Sequence, residues 1–240
     1  MKNHTHNLFY VAPRKIQADE IIIDGATLHH MQHVLRKRAD DIIFITDGKG
    51  YRYTVKITQA TRTRARAQIV KRNYMQRGTT LNTALAFVPL KGLRNDFIIE
   101  KATELGVQRF LPFISQNSVV RTLSQAKLNR FRKICLNAML QSQQYYNPEI
   151  SFQGDIASLV RIFGHFDLIL LADKKGENDI PQGAHSILYI VGPEGGFDKN
   201  EIDLVTHHGA RLLSLGMHRL RGETAAVCGI TKILIAYKNM

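Results

Sequence analysis

Apolar and polar residues alternate along five short runs near the start of the chain, at positions 8–11, 20–23, 42–46, 51–58 and 62–71. This spacing predicts β-strands. Between the second and third runs, Leu28, Met31, Val34 and Leu35 recur at helical spacing and predict one helix over 27–36. Asp47-Gly-Lys-Gly50 supplies turn chemistry between the third and fourth runs. Many short strands with little helix predict a small β-barrel-like domain.

After the polar stretch 73–80, suited to a linker, the period changes. Strands are predicted at 81–88, 109–114, 167–172, 186–191 and 211–214, with helices at 94–105, 125–143, 156–163, 199–208 and 223–237. That alternation predicts an α/β domain with a parallel sheet, so the chain divides into residues 1–73 and 74–240. Ser124 and the pair Asp198-x-x-Glu201 read as helix starts, and Gly106 as a left-handed helix end.

Charge adds a partner to this picture. The chain of 240 residues carries a formal net charge of +13, with 14 basic residues against 6 acidic ones before Tyr74 and 19 against 14 from there on. A polyanion such as nucleic acid is the expected partner, and the first domain is the denser in positive charge. Arg62, Arg64 and Arg66 alternate with small residues, so at strand period they share one face. Either a solvated strand face or a phosphate-binding one fits; Arg36-Lys-Arg38, Lys71-Arg72 and Tyr51-Arg-Tyr53 nearby favour the second.

Other chemistries find little support. Cys135 and Cys228 stand far apart with no C-x-x-C, which predicts neither a disulfide framework nor a zinc ribbon and fits a reducing cytoplasm. The amino terminus has no apolar signal region, and no apolar run has membrane-spanning length, so a soluble, unexported, cytoplasmic protein is expected. His29 and His33 share a predicted helix face, but no third ligand is evident and no metal is expected; His4 and His6 sit in a polar tail. No complete phosphate-binding loop, dinucleotide fingerprint or serine-hydrolase elbow is present.

Two glycine-bearing segments remain, Ile190-Val-Gly-Pro-Glu-Gly-Gly-Phe197 and Leu215-Gly-Met-His-Arg-Leu-Arg-Gly-Glu-Thr-Ala-Ala226. Each follows a predicted strand and precedes a predicted helix. Each could be only a tight turn. Two parallel strands would, however, present both loops at the carboxyl edge of one sheet, where open α/β domains bind ligands.

These segments, with Phe97-Ile-Ile-Glu-Lys-Ala-Thr-Glu-Leu-Gly106, His29-His-x-x-x-Val-Leu-Arg36 and Asp47-Gly48, resemble the bacterial 16S ribosomal RNA (uracil-N3)-methyltransferase family of the SPOUT class. The resemblance implies a PUA-like barrel that helps to hold RNA, then an α/β domain ending in a trefoil knot. It also implies S-adenosyl-L-methionine as methyl donor, 16S rRNA or the assembled small subunit as substrate, and a homodimer with each site near the subunit interface. The donor would touch Leu171, Ala172, Gly192, Pro193, Glu194, Gly195, Gly196, Leu215, Gly216, Met217, Arg219 and Leu220. RNA would meet Arg36, Arg62, Arg64, Arg66 and Arg219. Arg221 is expected to stabilise charge on the uracil ring, while Glu194 and Glu223 are the candidates to take its proton. Glu223 reads equally well as a structural ion-pair partner at a helix start. Met217, Gly222 and Leu140 stand where the family often has Pro, Thr and Glu. A noncatalytic RNA-binding or ribosome-assembly factor, and a knotted methyltransferase acting on a ribose 2′-hydroxyl or another base, are the rival readings.

Overall fold

A computed structural model describes residues 7–238, and His4 and His6 lie outside them. The chain forms two compact units, Met1–Arg77 with Met139–Asn147, and Gly78–Ala138 with Pro148–Met240.

In the first unit β1 (Leu8–Tyr10), β2 (Glu20–Asp24), β3 (Ile42–Thr46), β4 (Tyr51–Ala60) and β5 (Arg64–Tyr74) form one sheet in the order β1-β3-β4-β5-β2. β1 runs parallel to β3, and the remaining pairs are antiparallel. Period-two patterning places Ile21, Ile23, Ile43, Ile45, Val55, Ile57, Ala65 and Ala67 in one core, closed by Leu28 and Met31.

The single helix expected over 27–36 is instead α1 (Gly25–His29) continuing into a π-helical turn, His30–Val34. The wider turn keeps Leu28 and Met31 buried but leaves Val34 60% exposed. The expected strand over 62–71 begins only at Arg64, because Thr61 and Arg64 close the β4–β5 turn through Thr61 N–H donating to Arg64 O at 2.8 Å. Arg62 therefore sits in the turn, and only Arg64 and Arg66 share the strand face. β5 also continues to Tyr74, so the stretch expected as a linker starts inside a strand.

The second unit carries a six-stranded parallel sheet of order β11-β9-β10-β6-β7-β8. Its elements run β6 (Asn82–Phe87), α2 (Arg94–Glu104), β7 (Arg109–Pro112), α3 (Gln125–Gln141), β8 (Glu149–Ile150), α4 (Ile156–Val160), β9 (Leu168–Glu177), β10 (Ser186–Val191), α5 (Lys199–His207), β11 (Arg211–Leu213) and α6 (Gly222–Ala236). The central strands are apolar on both faces, as a doubly covered parallel sheet requires. Leu85, Phe87, Leu170, Tyr189 and Val191 face one core. Ala84, Ala86, Ile169, Leu171, Leu188 and Ile190 face the other. The two-residue β8 carries too little pattern to be read from sequence.

Helix ends follow their local chemistry. Ser124 Oγ accepts from Lys127 N–H at 3.3 Å, Asp198 and Glu201 form a reciprocal capping box, and Gly106 ends α2 at φ +88°. β9 extends past the expected 172 because, beyond Leu171, it leaves β10 and shifts register along β11 until Leu213 pairs with Glu177. Gly176 permits this, since a Cβ there would run into the Leu212–Leu213 backbone.

α6 returns to β10 through a similarly close approach. Gly229 lies against the Tyr189 ring, where a Cβ would overlap it, and Tyr189 O–H donates to Ala225 O at 2.9 Å. The Tyr189 ring is fully buried, and burial drives its phenol far above the usual range, so it stays a neutral donor. No helix among the described residues is long and apolar enough to cross a membrane.

Two outcomes are expected from this packing. Gly229→Ala should lower unfolding free energy by about 2–3 kcal/mol in denaturant titration, because the methyl meets a ring that cannot retreat. Gly164→Ala, where a Cβ meets nothing within 4 Å, is the near-neutral comparison. Cys135 is buried, and desolvation pushes its thiol up to about 12, so little thiolate exists at neutral pH. Native protein treated with iodoacetamide at pH 8 should leave Cys135 unlabelled by peptide mass, and guanidinium should expose it.

Candidate functional site

The loops after β10 and β11, with residues 172–174 of β9, line a cavity of about 890 Å³ in the second unit. This is where the strand order makes ligand binding geometrically natural, and the volume suits a cofactor-sized molecule.

The loop after β10 forms one wall. Gly196 N–H closes a turn onto Pro193 O at 2.9 Å, Gly196 adopts φ +76°, and Asn117 Nδ2 donates to Gly196 O at 3.2 Å. Gly192 has the Phe197 ring against it, 2.7 Å from where a Cβ would stand. Phe197 in turn stacks on Phe113, centroids 6.3 Å apart at 7°. Only glycine at 192 lets this ring fold under the loop.

The loop after β11 forms the facing wall. Ser214 N–H donates to Glu177 O at 2.8 Å and Lys232 Nζ to Ser214 O at 2.9 Å, which ties the loop entrance to β9 and α6. Gly216 then turns at φ +121°, a conformation that side-chain-bearing residues rarely adopt. Arg219 Nη2 crosses the cavity mouth to donate to Glu194 O at 2.5 Å. Arg94, at the start of α2, pairs through Nη2 with Glu194 Oε1 at 2.6 Å. Both ends of Glu194, peptide and carboxylate, are thus held by guanidinium groups.

Arg221 is the N-cap of α6, extended at φ −70° and ψ 153°, and exposed. Among the described residues its guanidinium forms no ion pair, and it stands beside the amino end of α6. That helix end adds partial positive charge.

The structure brings together Ala172, Gly192, Pro193, Glu194, Gly195, Gly196, Leu215, Gly216, Arg219, Leu220 and Arg221 along this cavity. Three expected residues lie elsewhere. Leu171 is fully buried in the core, because strand alternation turns it away from the edge that Ala172 reaches. Met217 is 91% exposed and outside the lining. Glu223 is in the first turn of α6 and outside the lining, with its Oε2 buried and without a hydrogen-bond partner.

The cavity also gathers Arg94, Asp173 and Lys174, which sequence reasoning missed, and His218 and Gly222 from the quoted motif. Arg94 reads in sequence only as a helix start, and Asp173 and Lys174 belong to the unforeseen extension of β9. His218 lies inside a quoted motif, and its neighbour Arg219 drew the attention.

In the first unit Arg36, Arg62, Arg64 and Arg66 are all exposed. Arg36 adopts φ +53° just after the π turn, and Arg66 approaches Glu20 at 3.7 Å. His29 and His33 rings lie 4.6 Å apart, but among the described residues no group of three or more His, Cys, Asp or Glu could hold a metal ion.

Comparison with known proteins accords with this arrangement. Residues 78–234 match a family described as an RNA methyltransferase domain, and residues 23–70 match an RNA methyltransferase PUA domain. The ribosomal RNA small subunit methyltransferase E of Mesomycoplasma hyopneumoniae is 30% identical over 223 residues, covering 91% of this chain and 95% of that protein. The protein of the same name from Bacillus subtilis is 26% identical over 232 residues, covering 90% of each. A crystal structure of the Neisseria gonorrhoeae methyltransferase E, bound to S-adenosyl methionine, superposes with a TM-score of 0.86 at 28% identity, covering 95% of this chain and 97% of that one. The chain belongs to the family of RNA methyltransferases with a PUA domain that includes the small-subunit ribosomal RNA methyltransferases E.

Proposed function

We propose that this protein transfers a methyl group from S-adenosyl-L-methionine to uracil N3 of 16S ribosomal RNA, acting as a homodimer on the assembled small subunit. The observation that carries the reading is the cavity of about 890 Å³ walled by glycine-bearing loops with the unengaged Arg221 at its rim.

The residues present suit the donor. Gly196 and Gly216 line the cavity with nothing within 4 Å of their would-be Cβ positions, so main chain can approach a bound molecule directly. Val191, Leu213, Leu215 and Leu220 supply apolar surface for a nucleoside, while Arg94, Lys174, Arg219 and Arg221 face Asp173 and Glu194 across the remainder. When bound, the donor supplies an electrophilic methyl carbon on a sulfonium. The chain's own task is to align the uracil with it and manage one proton.

Arg221 would stabilise the negative charge that spreads onto the two ring carbonyls when N3 loses its proton. Arg219 would hold RNA or cofactor while bracing the Glu194 peptide. Between the carboxylates, Glu194 lines the cavity but is engaged by Arg94, and Glu223 lies outside the lining with one unpartnered oxygen. Residues 1–73 would hold RNA through Arg36, Arg62, Arg64 and Arg66, and residues 74–240 would carry the chemistry. A trefoil knot is supported by the path of the chain, in which β11 lies beyond β9 and α6 then returns to β10. Of the positions departing from the family habit, Met217 points away from the cavity, and Gly222 packs where a Cβ would stand 3.3 Å from Leu90.

Mass mapping of nucleosides after reaction with intact small subunits and with deproteinised RNA tests the proposal. N3-methyluridine is expected, chiefly on intact subunits, and a ribose-methylated product would refute it. Arg221→Ala should lower the methylation rate by about 100-fold, the size of losing one charge-stabilising donor, with calorimetric donor affinity changed by less than about threefold. RNA affinity should fall steeply with salt, and charge-reversing Arg64 and Arg66 together should flatten the log–log slope by about 1.5–2. An unchanged slope would remove that face from RNA binding.

A further inference from the structure

At the opposite end of the β4–β5 hairpin from Arg62, we propose a second RNA contact: a platform of Tyr51, Tyr74 and Tyr146 with Arg72 and Arg77 that stacks unpaired bases. It rests on the reading that RNA is the substrate. Tyr51 and Tyr74 are registered partners across β4 and β5, with ring centroids 5.2 Å apart at 66°. Tyr146, from the segment Met139–Asn147 that belongs to this unit, meets Tyr74 at 6.4 Å and 89°. Arg72 Cζ lies 3.9 Å from the Tyr51 ring centre, and Arg77 Cζ 4.1 Å from that of Tyr146. The three rings thus meet edge to face, guanidiniums cover Tyr51 and Tyr146, and Tyr74 is the ring left most exposed.

Its parts are held unequally. Gly50 leaves room for the Tyr146 ring, which a Cβ would strike, and Tyr146 O–H donates to Met75 O at 2.9 Å. Desolvation and the Tyr74 hydroxyl push the Tyr146 phenol up to about 12, so it remains a neutral donor. Tyr74 is 60% exposed despite being a large ring on an ordered strand. Among the described residues, no carboxylate forms an ion pair with Arg72 or Arg77.

Fixed aromatic faces bearing uncompensated cations match one ligand chemistry, a flat base attached to a phosphate. The net charge of +13 suits any polyanion, and the exposed Tyr74 ring favours an RNA base over an acidic protein segment; the base must be unpaired, because a duplex conceals its faces. The site is distinct from the arginine turn. Tyr51 and Ala60 are the two ends of β4, about 30 Å apart at strand rise.

The chain contains no tryptophan, so Tyr74→Trp introduces a single indole reporter. Titration of the full-length variant with oligouridylate of about 12 nucleotides should quench its emission with wild-type affinity, since stacking on a base requires only a π face. Tyr74→Ala should weaken binding of the same oligomer about tenfold with the salt slope unchanged, and Tyr74→Phe should restore it. Affinity for an RNA duplex should not change. Saturable binding without quenching, equal affinity for Tyr74→Ala, or an equal loss on duplex would overturn the platform alone. Wild-type protein that binds S-adenosyl-L-methionine but no RNA would overturn the substrate reading with it.

Discussion

The approach of α6 to β10 is the contact on which the site depends. A helix can lie directly on an aromatic ring only where it carries no side chain, and Gly229 supplies that gap over Tyr189. The Tyr189 hydroxyl then reaches up to Ala225 O, one turn before the glycine, which fixes the helix in rotation as well as in height. Arg221 is four residues ahead of Ala225 and accepts the Ala225 N–H through its carbonyl at 2.8 Å. The orientation of the amino end of α6, and so of the cation at the cavity rim, is therefore set by a buried ring beneath the second turn. This geometry also explains why Gly222 follows Arg221: the helix start is wedged against Leu90, and Leu90 is itself clamped by Asn95 through hydrogen bonds of 2.8 and 2.6 Å.

The charged contacts of the cavity play a different part. Arg94 and Glu194 are each about one-third exposed, and such a pair contributes little to stability, on the order of 1 kcal/mol or less. Its effect is directional. With the carboxylate turned to Arg94 and the Glu194 peptide oxygen turned to Arg219, the loop after β10 is spanned from both sides while its glycine backbone stays bare. With Arg94 and Arg219 turned to Glu194, part of the charge on the wall is already engaged, while among the described residues Lys174 and Arg221 line the cavity without an ion pair.

Much of this was legible in the sequence because strong periodicity leaves little choice. The strand at 42–46 and the strand at 186–191 fall where alternation and continuous apolarity put them. The capping box at Asp198 needed only its four residues. The cavity loops were visible as glycine clusters after strands, but the facing of each residue was not: the side chain of Leu171, which the resemblance alone set beside the donor, lies in the core. The departures arise where tertiary contact overrides pattern. The π turn at His30–Val34, the unpairing of Arg62 from its strand and the run of β9 to Glu177 depend on partners distant in the chain. Arg94 escaped notice for the same reason: nothing within α2 indicates that its guanidinium will meet Glu194, a hundred positions away in sequence.

The two units are built on different physics, and positive charge is denser in the first. Phosphate attraction acts over about 10 Å at ordinary ionic strength and distinguishes nucleic acid from other solutes without distinguishing one nucleotide from another. A surface built on it can be spread along a strand, because no single distance matters; Arg64 and Arg66 are exposed along β5 in that manner. Methyl transfer instead demands alignment to a fraction of an ångström, which long flexible cations cannot supply. The second unit accordingly invests in close approaches, at Gly176, Gly192 and Gly229, where one added methyl would displace a neighbour. Arg221, anchored by α6 through its carbonyl, carries its charge on a helix start that these approaches hold in place.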